Sequence, residues 1–225
     1  MSEKQIAAEY AVDYVEDGMI IGLGSGSTVA LMLNKLSGRI KEGLKITAVS
    51  TSAATTKLAA SLGIKISKLN EIGEIDLTID GADEVDENLD GIKGGGGALL
   101  YEKIVASNSK KNIWIVDSTK LVKVLGKFPL PVEVVQFGSD QIIKKFENNG
   151  YKANFRTKDK TRFITDSGNY IVDLSLGQIT DPYTVDEEIK EIPGVVETGL
   201  FYNIADVVIA GIGENVSVIN KKKRV

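Results

Sequence analysis

Lys93 is followed by four consecutive glycines, Gly94 to Gly97, and Glu102 stands five residues beyond the last of them. Glycine is a poor helix former and loses much chain entropy on folding, so a run of four needs a reason. Bare amides can approach an oxyanion or a hydroxyl-rich ligand at close range. Lys93 brings a full positive charge to one end of the run. Glu102, in the first turns of an expected helix, brings a carboxylate to the other. The alternative is a flexible loop, with Glu102 a surface residue favoured near a helix start.

Two further segments have chemistry-bearing residues at close spacing. Gly22-Leu23-Gly24-Ser25-Gly26-Ser27-Thr28 follows an apolar run. It is not the dinucleotide fingerprint, because Ser27 stands where the third glycine belongs, and no Gly-Lys-Ser/Thr follows to make a Walker loop. Its glycines let backbone amides face an anion, and Ser27 or Thr28 is expected to cap the next helix. A helix N-terminus with free amides binds phosphate. A tight strand–helix turn with an ordinary cap accounts for it equally well. Ser50-Thr51-Ser52 reads as simple capping. Asp80-Gly81-Ala82-Asp83-Glu84-Val85-Asp86 places four carboxylates in seven residues. The twelve-residue calcium pattern is absent, which leaves a carboxylate-only magnesium site or a solvated acidic turn. Solvation suits Glu84 and Asp86. It suits Asp80 poorly, because Asp80 ends an apolar strand. In Asp117-Ser118-Thr119-Lys120, the spacing by itself favours a solvated Lys120.

Composition narrows the chemistry. The 225 residues include no cysteine and no histidine. Disulfides, thiolate nucleophiles, Cys/His zinc sites and imidazole bases are thereby excluded. Proton transfer rests mainly on Asp, Glu, Lys or Tyr. With 27 basic and 31 acidic residues the formal charge is −4. An anionic substrate would need locally built positive potential. No basic stripe of a nucleic-acid binder is present, and the terminal KKKRV reads as a solvated end. The first residues interleave Ile6, Tyr10, Val12 and Tyr14 with charges, as in an amphipathic helix rather than a secretory leader. No apolar run approaches the ~18 residues of a membrane span. The expectation is a soluble cytoplasmic protein without nucleic-acid or membrane partners.

These segments need elements to hold them. Strand-like runs at 19–23, 45–49, 75–80 and 112–117 alternate with helical patterns at 29–36, 53–62 and 97–108. Apolar strands alternating with helices argue a parallel sheet covered on both faces. The pattern changes at Phe128-Pro129-Leu130-Pro131, where two close prolines mark a stiff connector. Strand 132–136, helix 139–148, strands 151–156 and 169–174, helix 184–191 and strand 195–201 then follow the order β-α-β-β-α-β. Residues 161–165 are expected to extend a hairpin with 169–174. Residues 206–212 resume the buried parallel style, and 216–219 read as an edge strand. The reading is a Rossmann-like, mainly parallel α/β domain, residues 1–130 and 204–225, interrupted by an α+β ferredoxin-like insert, residues 131–203.

The motifs GSGST at 24–28, DGADE at 80–84, KGGGGA at 93–98, YEKI at 101–104, DSTK at 117–120, GKFPLPVEV at 126–134 and IPGVVETGLF at 192–201 occur in order. Over nearly the whole chain they resemble type A ribose-5-phosphate isomerase. One departure is visible: Gly97 extends a run that in the family is three glycines followed by alanines. The resemblance implies interconversion of ribose 5-phosphate and ribulose 5-phosphate in the pentose phosphate pathway, through an enediolate, with no metal or organic cofactor. It implies Glu102 as general base, and Asp80 and Asp83 in ring opening and hydroxyl proton handling. Lys93 with Gly94, Gly95 and Gly96 would hold the enediolate. Ser25, Gly26, Ser27, Thr28, Gly81, Ala82 and Lys120 would bind substrate, with Lys4 a further basic contact to phosphate. A homodimer or homotetramer is implied. Three rival readings exist. A non-catalytic sugar-phosphate sensor of the same fold carries an attached helix-turn-helix. A related amino-sugar phosphate deaminase relies on histidine. A CoA-transferase-like enzyme uses a glutamyl nucleophile on larger acyl substrates.

Overall fold

The computed structural model describes residues 1–222, so Lys223 to Val225 of the basic C-terminal run lie outside the described residues. The chain opens with α1 (Glu3–Ala11), β1 (Ile20–Leu23), α2 (Ser27–Lys41), β2 (Thr47–Ser50), α3 (Ala53–Ser61) and β3 (Leu77–Gly81). Two short strands, β4 (Glu84–Val85) and β5 (Gly91–Ile92), precede α4 (Leu99–Ser107) and β6 (Asn112–Asp117). Next come β7 (Leu130–Val134), α5 (Ser139–Asn148), β8 (Lys152–Phe155), β9 (Thr157–Lys158), β10 (Thr161–Arg162) and β11 (Tyr170–Ser175). The chain ends with α6 (Pro182–Lys190), β12 (Val195–Thr198), β13 (Leu200–Phe201), β14 (Val207–Ile212) and β15 (Asn215–Asn220).

The main sheet has the order β15-β14-β6-β3-β1-β2. All its pairings are parallel except that of the edge strand β15. Strand periodicity of two explains how both faces are covered. Ile113 and Ile115 of β6 face one layer, with Ala7 and Ala8 of α1 and Met32 and Leu33 of α2. Trp114 and Val116 face the other, with Leu99 of α4 and Phe201. Val29, Leu33 and Leu36 of α2 are buried together, as their spacing requires. From β1 the chain winds outward to β2. From β3 it winds the opposite way, through β6 to β14. The carboxyl ends of β1 and β3 therefore flank the point where the winding reverses, the usual ligand crevice of such sheets. The Gly24–Thr28 and Gly81–Asp83 segments leave those two ends.

The second sheet is antiparallel, with order β12-β7-β11-β8. Its core joins Leu130, Val132 and Val134 of β7 to Ile142 and Phe146 of α5, Val172 and Leu174 of β11, and Ile189 of α6. The structure departs from the sequence reading in three places here. Pro131 is not part of a connector but the second residue of β7, opposite Asp173. It stands near the strand start, where a missing N–H is tolerated, and its carbonyl accepts the Gly199 N–H at 2.7 Å. The hairpin of 161–162 is made with 157–158, and only Ile164 bridges back to Tyr170. The 195–201 run divides at Gly199: β12 stays in this sheet, while β13 joins β5 and β4 in a three-stranded sheet. Glu84 is also not a solvated residue. It is 3% exposed, and its carboxylate accepts the N–H groups of Gly126 and Phe128 at 2.7 and 2.6 Å.

Candidate active site

At the reversal point Lys93 is 2% exposed, Asp80 2% and Glu102 5%. The three arrive from different elements. Asp80 is in β3, Lys93 follows β5, and Glu102 is in the first turn of α4. The Lys93 ammonium lies 2.9 Å from Asp80 Oδ2 and 3.3 Å from Glu102 Oε2, and donates to the Gly81 carbonyl at 2.5 Å. Trp114 and Phe201 rings lie 6.0 and 5.3 Å from it. Asp80 is fully engaged: Oδ1 accepts the N–H groups of Ser25 (2.9 Å) and Gly81 (2.7 Å). That approach requires Gly24, because a Cβ there would overlap the Asp80 carboxylate. Glu102 Oε2 is buried and accepts no hydrogen bond. The Lys93 ammonium attracts it from outside hydrogen-bond geometry.

Burial sets the electrostatics of the trio. It pushes the Glu102 carboxyl up to about 8. Lys93 opposes the shift, while Asp80 and Asp83 add to it. Burial by itself would lower Lys93, but Asp80, Glu102 and Asp83 outweigh it and hold the ammonium above its ordinary value. The result is a permanent cation beside an acid that titrates near neutrality. The next residue of α4, Lys103, donates to Glu197 Oε1, Thr198 O and Leu200 O at 2.8–2.9 Å, tying the helix to β12 and β13.

The polyglycine run is a tight, ordered turn rather than a loose loop. Gly97 N–H donates to Gly94 O at 2.9 Å, and both residues have positive φ, 97° at Gly94 and 82° at Gly97. Gly97 has a second constraint: a Cβ there would run into the Phe163 ring. The extra glycine thus makes room for Phe163, which follows the β9–β10 hairpin. Asp83 Oδ2 accepts the Gly95 N–H at 2.7 Å. Arg156 donates to the carbonyls of Gly94 and Gly95 from the far side.

Along the cleft from this group lies the start of α2. Its N-cap is Gly26, with φ 106° and no side-chain cap, so the expected cap by Ser27 or Thr28 is not what forms. The first amides of a fifteen-residue helix therefore face the cleft unsatisfied by a side chain. Lys4, reaching from α1, places its ammonium 3.4 Å from Ser27 Oγ. Glu3 accepts from Ser118 and Gly213, which ties the start of α1 to the turn bearing Lys120. The Ser25 hydroxyl turns to Thr51 and Ser52, at 2.7 and 2.8 Å.

The cleft, about 140 Å³, is lined by Ser25, Gly26, Ser27, Thr28, Gly81, Ala82, Asp83, Lys93, Gly94, Gly95, Gly96, Glu102 and Lys120. Asp80 lies behind Lys93 rather than on the wall. Lys120 lines the cleft, contrary to what its spacing by itself favoured. Ile115, Val116 and Asp117 also line it, and the sequence reading missed all three as site residues. They are the last residues of β6, beside β3, and that adjacency is the one signal that would have found them. Arg156 was missed too, being distant in sequence and in no motif. The volume is well below the ~300–1,000 Å³ of drug-sized pockets and suits a small polar molecule.

Comparison with known proteins agrees with this geometry. The family model for ribose 5-phosphate isomerase A (phosphoriboisomerase A) matches residues 47–215. The chain is 50% identical over 221 residues to the ribose-5-phosphate isomerase A of Streptococcus pneumoniae, covering 98% of this chain and 97% of that protein. The ribose 5-phosphate isomerase A of Methanocaldococcus jannaschii superimposes with a TM-score of 0.91 at 41% identity, covering 97% of this chain and 98% of that one. A D-ribose-5-phosphate isomerase in complex with phospho-erythronic acid gives 0.93 at 40% identity, covering 98% of this chain and 100% of that one. A cleft at the reversal point of the sheet, built from a buried lysine, an acid near neutrality and a polyglycine turn, and matched over nearly the full chain, has one consistent account: the chain belongs to the ribose 5-phosphate isomerase A family.

Proposed function

We propose that this chain interconverts ribose 5-phosphate and ribulose 5-phosphate, with Glu102 as the base that moves the proton. One observation carries the reading: Glu102 is a buried carboxyl with an unpartnered oxygen, 3.3 Å from a permanent ammonium, on the wall of a cleft sized for a small polar ligand.

The phosphate fits the α2 end of the cleft, where free amides, Lys4 and Lys120 supply positive potential. That places the C1–C2 end of the open-chain sugar toward Glu102. The carboxylate takes the C2 proton, and the C–H electron pair forms C1=C2 while O1 takes the negative charge of the enediolate. Lys93 and the polyglycine amides stabilise that charge. Asp83, on the wall, carries a proton from O2 to O1. Glu102 returns its proton to C1 as O2 collapses to the ketone. Asp80 lies off the wall and acts through Lys93, holding the ammonium in place. A base with its pKa near the working pH combines adequate ionised population with adequate basicity. Positioned acid–base catalysis supplies ~10²–10⁴-fold and an oxyanion donor ~10²–10³. Both are needed, which accounts for a base and a cradle in one cleft.

The same reading gives a homodimer or homotetramer working in the cytoplasm. Exposed Phe137, at 94%, and the exposed Tyr101 and Ile104 of α4 support an oligomer. Direct assay of ketopentose phosphate formed from ribose 5-phosphate tests the activity. A chain that binds the sugar phosphate without converting it would be a sensor instead.

A further inference from the structure

The side of the polyglycine turn that faces away from the cleft is gripped by one side chain of the second sheet. Arg156 follows β8. Its Nε and Nη2 donate to the Asp173 carboxylate of β11, at 3.0 and 2.5 Å. Its Nη1 donates to the carbonyls of Gly94 and Gly95, at 2.7 and 2.9 Å. The guanidinium is largely buried, with 15% of the side chain exposed.

A planar trans peptide points its carbonyl and its N–H in opposite directions. With Gly94 O turned to Arg156, the Gly95 N–H is sent to Asp83, where the 2.7 Å bond is found. With Gly95 O also turned to Arg156, the Gly96 N–H is sent to the cleft side. Gly96 lines the cleft, and among the described residues its N–H has no acceptor. Glycines have wide conformational freedom; inside the run the Gly97 N–H bond to Gly94 O opposes a flip of the first peptide, and no bond inside the run holds the second. A flip would aim a carbonyl lone pair, rather than an N–H, at developing negative charge.

We propose that Arg156, braced by Asp173, is a positioning residue for the isomerisation: it fixes two peptides of the polyglycine turn so that the Gly96 N–H faces the enediolate oxygen. The inference rests on the isomerase reading of the cleft. The planar guanidinium suits this task, because Nη1 serves both adjacent carbonyls while the Nε–Nη2 edge holds the Asp173 carboxylate as a bidentate pair. A lysine ammonium, a point charge without that second edge, loses the bidentate brace that fixes the direction of the bonds. Arg156 does not line the cleft, so its removal acts on the transition state through the turn and leaves the phosphate end intact.

The test compares wild type, Arg156→Ala, Arg156→Lys and Asp173→Asn. It measures kcat and KM for ribose 5-phosphate and inhibition constants for phospho-erythronic acid and inorganic phosphate. Phospho-erythronic acid presents a planar carboxylate where the enediolate oxygens form, and phosphate reports only the α2 end. In Arg156→Ala, kcat should fall about 10²-fold with KM within about threefold, as for loss of one oxyanion donor. Affinity for phospho-erythronic acid should fall and that for phosphate should not. Millimolar guanidinium should restore part of kcat in Arg156→Ala, and Arg156→Lys should stay impaired. Unchanged kcat overturns the proposal. So does loss of phosphate and substrate affinity in step with a lowered melting temperature, which would make the residue merely structural. If Arg156→Ala does not fold, the near-isosteric Asp173→Asn decides: lowered kcat at constant KM supports the proposal, and wild-type kcat overturns it. Wild-type protein that fails to isomerise ribose 5-phosphate would instead sink the reading of the cleft.

Discussion

Glu102 Oε2 lies 3.3 Å from the Lys93 ammonium yet accepts no hydrogen bond from it. Lys93 donates to the Gly81 carbonyl and pairs more closely with Asp80, at 2.9 Å, than with Glu102. The base is therefore attracted but not held. That leaves an acceptor free for a substrate proton and keeps a cation beside the charge that will form.

Glu102→Gln keeps the shape and removes the base. Turnover should fall by about 10³-fold or more, toward the upper range of positioned acid–base catalysis. Phospho-erythronic acid and phosphate should still bind, as calorimetry would show. Retained turnover would place the base elsewhere.

The pH profile should rise on its acidic limb. Only ionised Glu102 can accept a proton, and the free enzyme's carboxyl titrates at about 8. kcat/KM should then increase close to tenfold per pH unit below that value and level above it. A flat profile from pH 6 to 9 would contradict the assignment.

Stability should move the other way. Folded Glu102 keeps its proton up to about pH 8, whereas the unfolded carboxyl releases it near 4.5. Unfolding within that window releases a proton, so this contribution to stability is full below 4.5 and is lost as pH rises to about 8. The slope is at most about 1.4 kcal/mol per pH unit. Urea titrations of wild type against Glu102→Gln across pH 5–8 measure the difference, which should vanish if Glu102 stays ionised.

Lys93→Met leaves the buried Asp80 carboxylate, and Glu102 wherever it is ionised, without their cation. Breaking a buried ion pair from one side costs about 3–5 kcal/mol, and Glu102 should also titrate higher than in wild type. Denaturant midpoints and the pH profile of residual activity report the two effects separately.

Activity should survive exhaustive EDTA treatment. The acidic loop does not converge on one point: Asp80 faces Lys93, Asp83 takes the Gly95 N–H, Glu84 takes Gly126 and Phe128, and Asp86 takes the N–H groups of Asn88 and Asp90. Among the described residues no group of three or more acidic side chains is arranged to hold a metal ion. Strict dependence on added magnesium would overturn this.

Much of this protein was written locally. Strand and helix periods and the motif set follow from patterns within short windows, where burial of alternate or every third and fourth residue dictates the element, whereas the strand order and its reversal do not. The absence of histidine and cysteine from 225 residues already pointed proton transfer at carboxylates, lysines and tyrosines. What windows could not carry was convergence. That Asp80 sits behind Lys93 while Asp83 lines the cleft depends on how β3, β5 and α4 meet. The burial of Glu84 depends on the 126–128 segment returning to it, the role of Gly97 on Phe163 after the β9–β10 hairpin, and the reach of Arg156 across about sixty residues on the end of β8 meeting the turn. The pKa of Glu102 belongs to the same class. Burial raises it and an ammonium lowers it, and only the packed distances decide which wins.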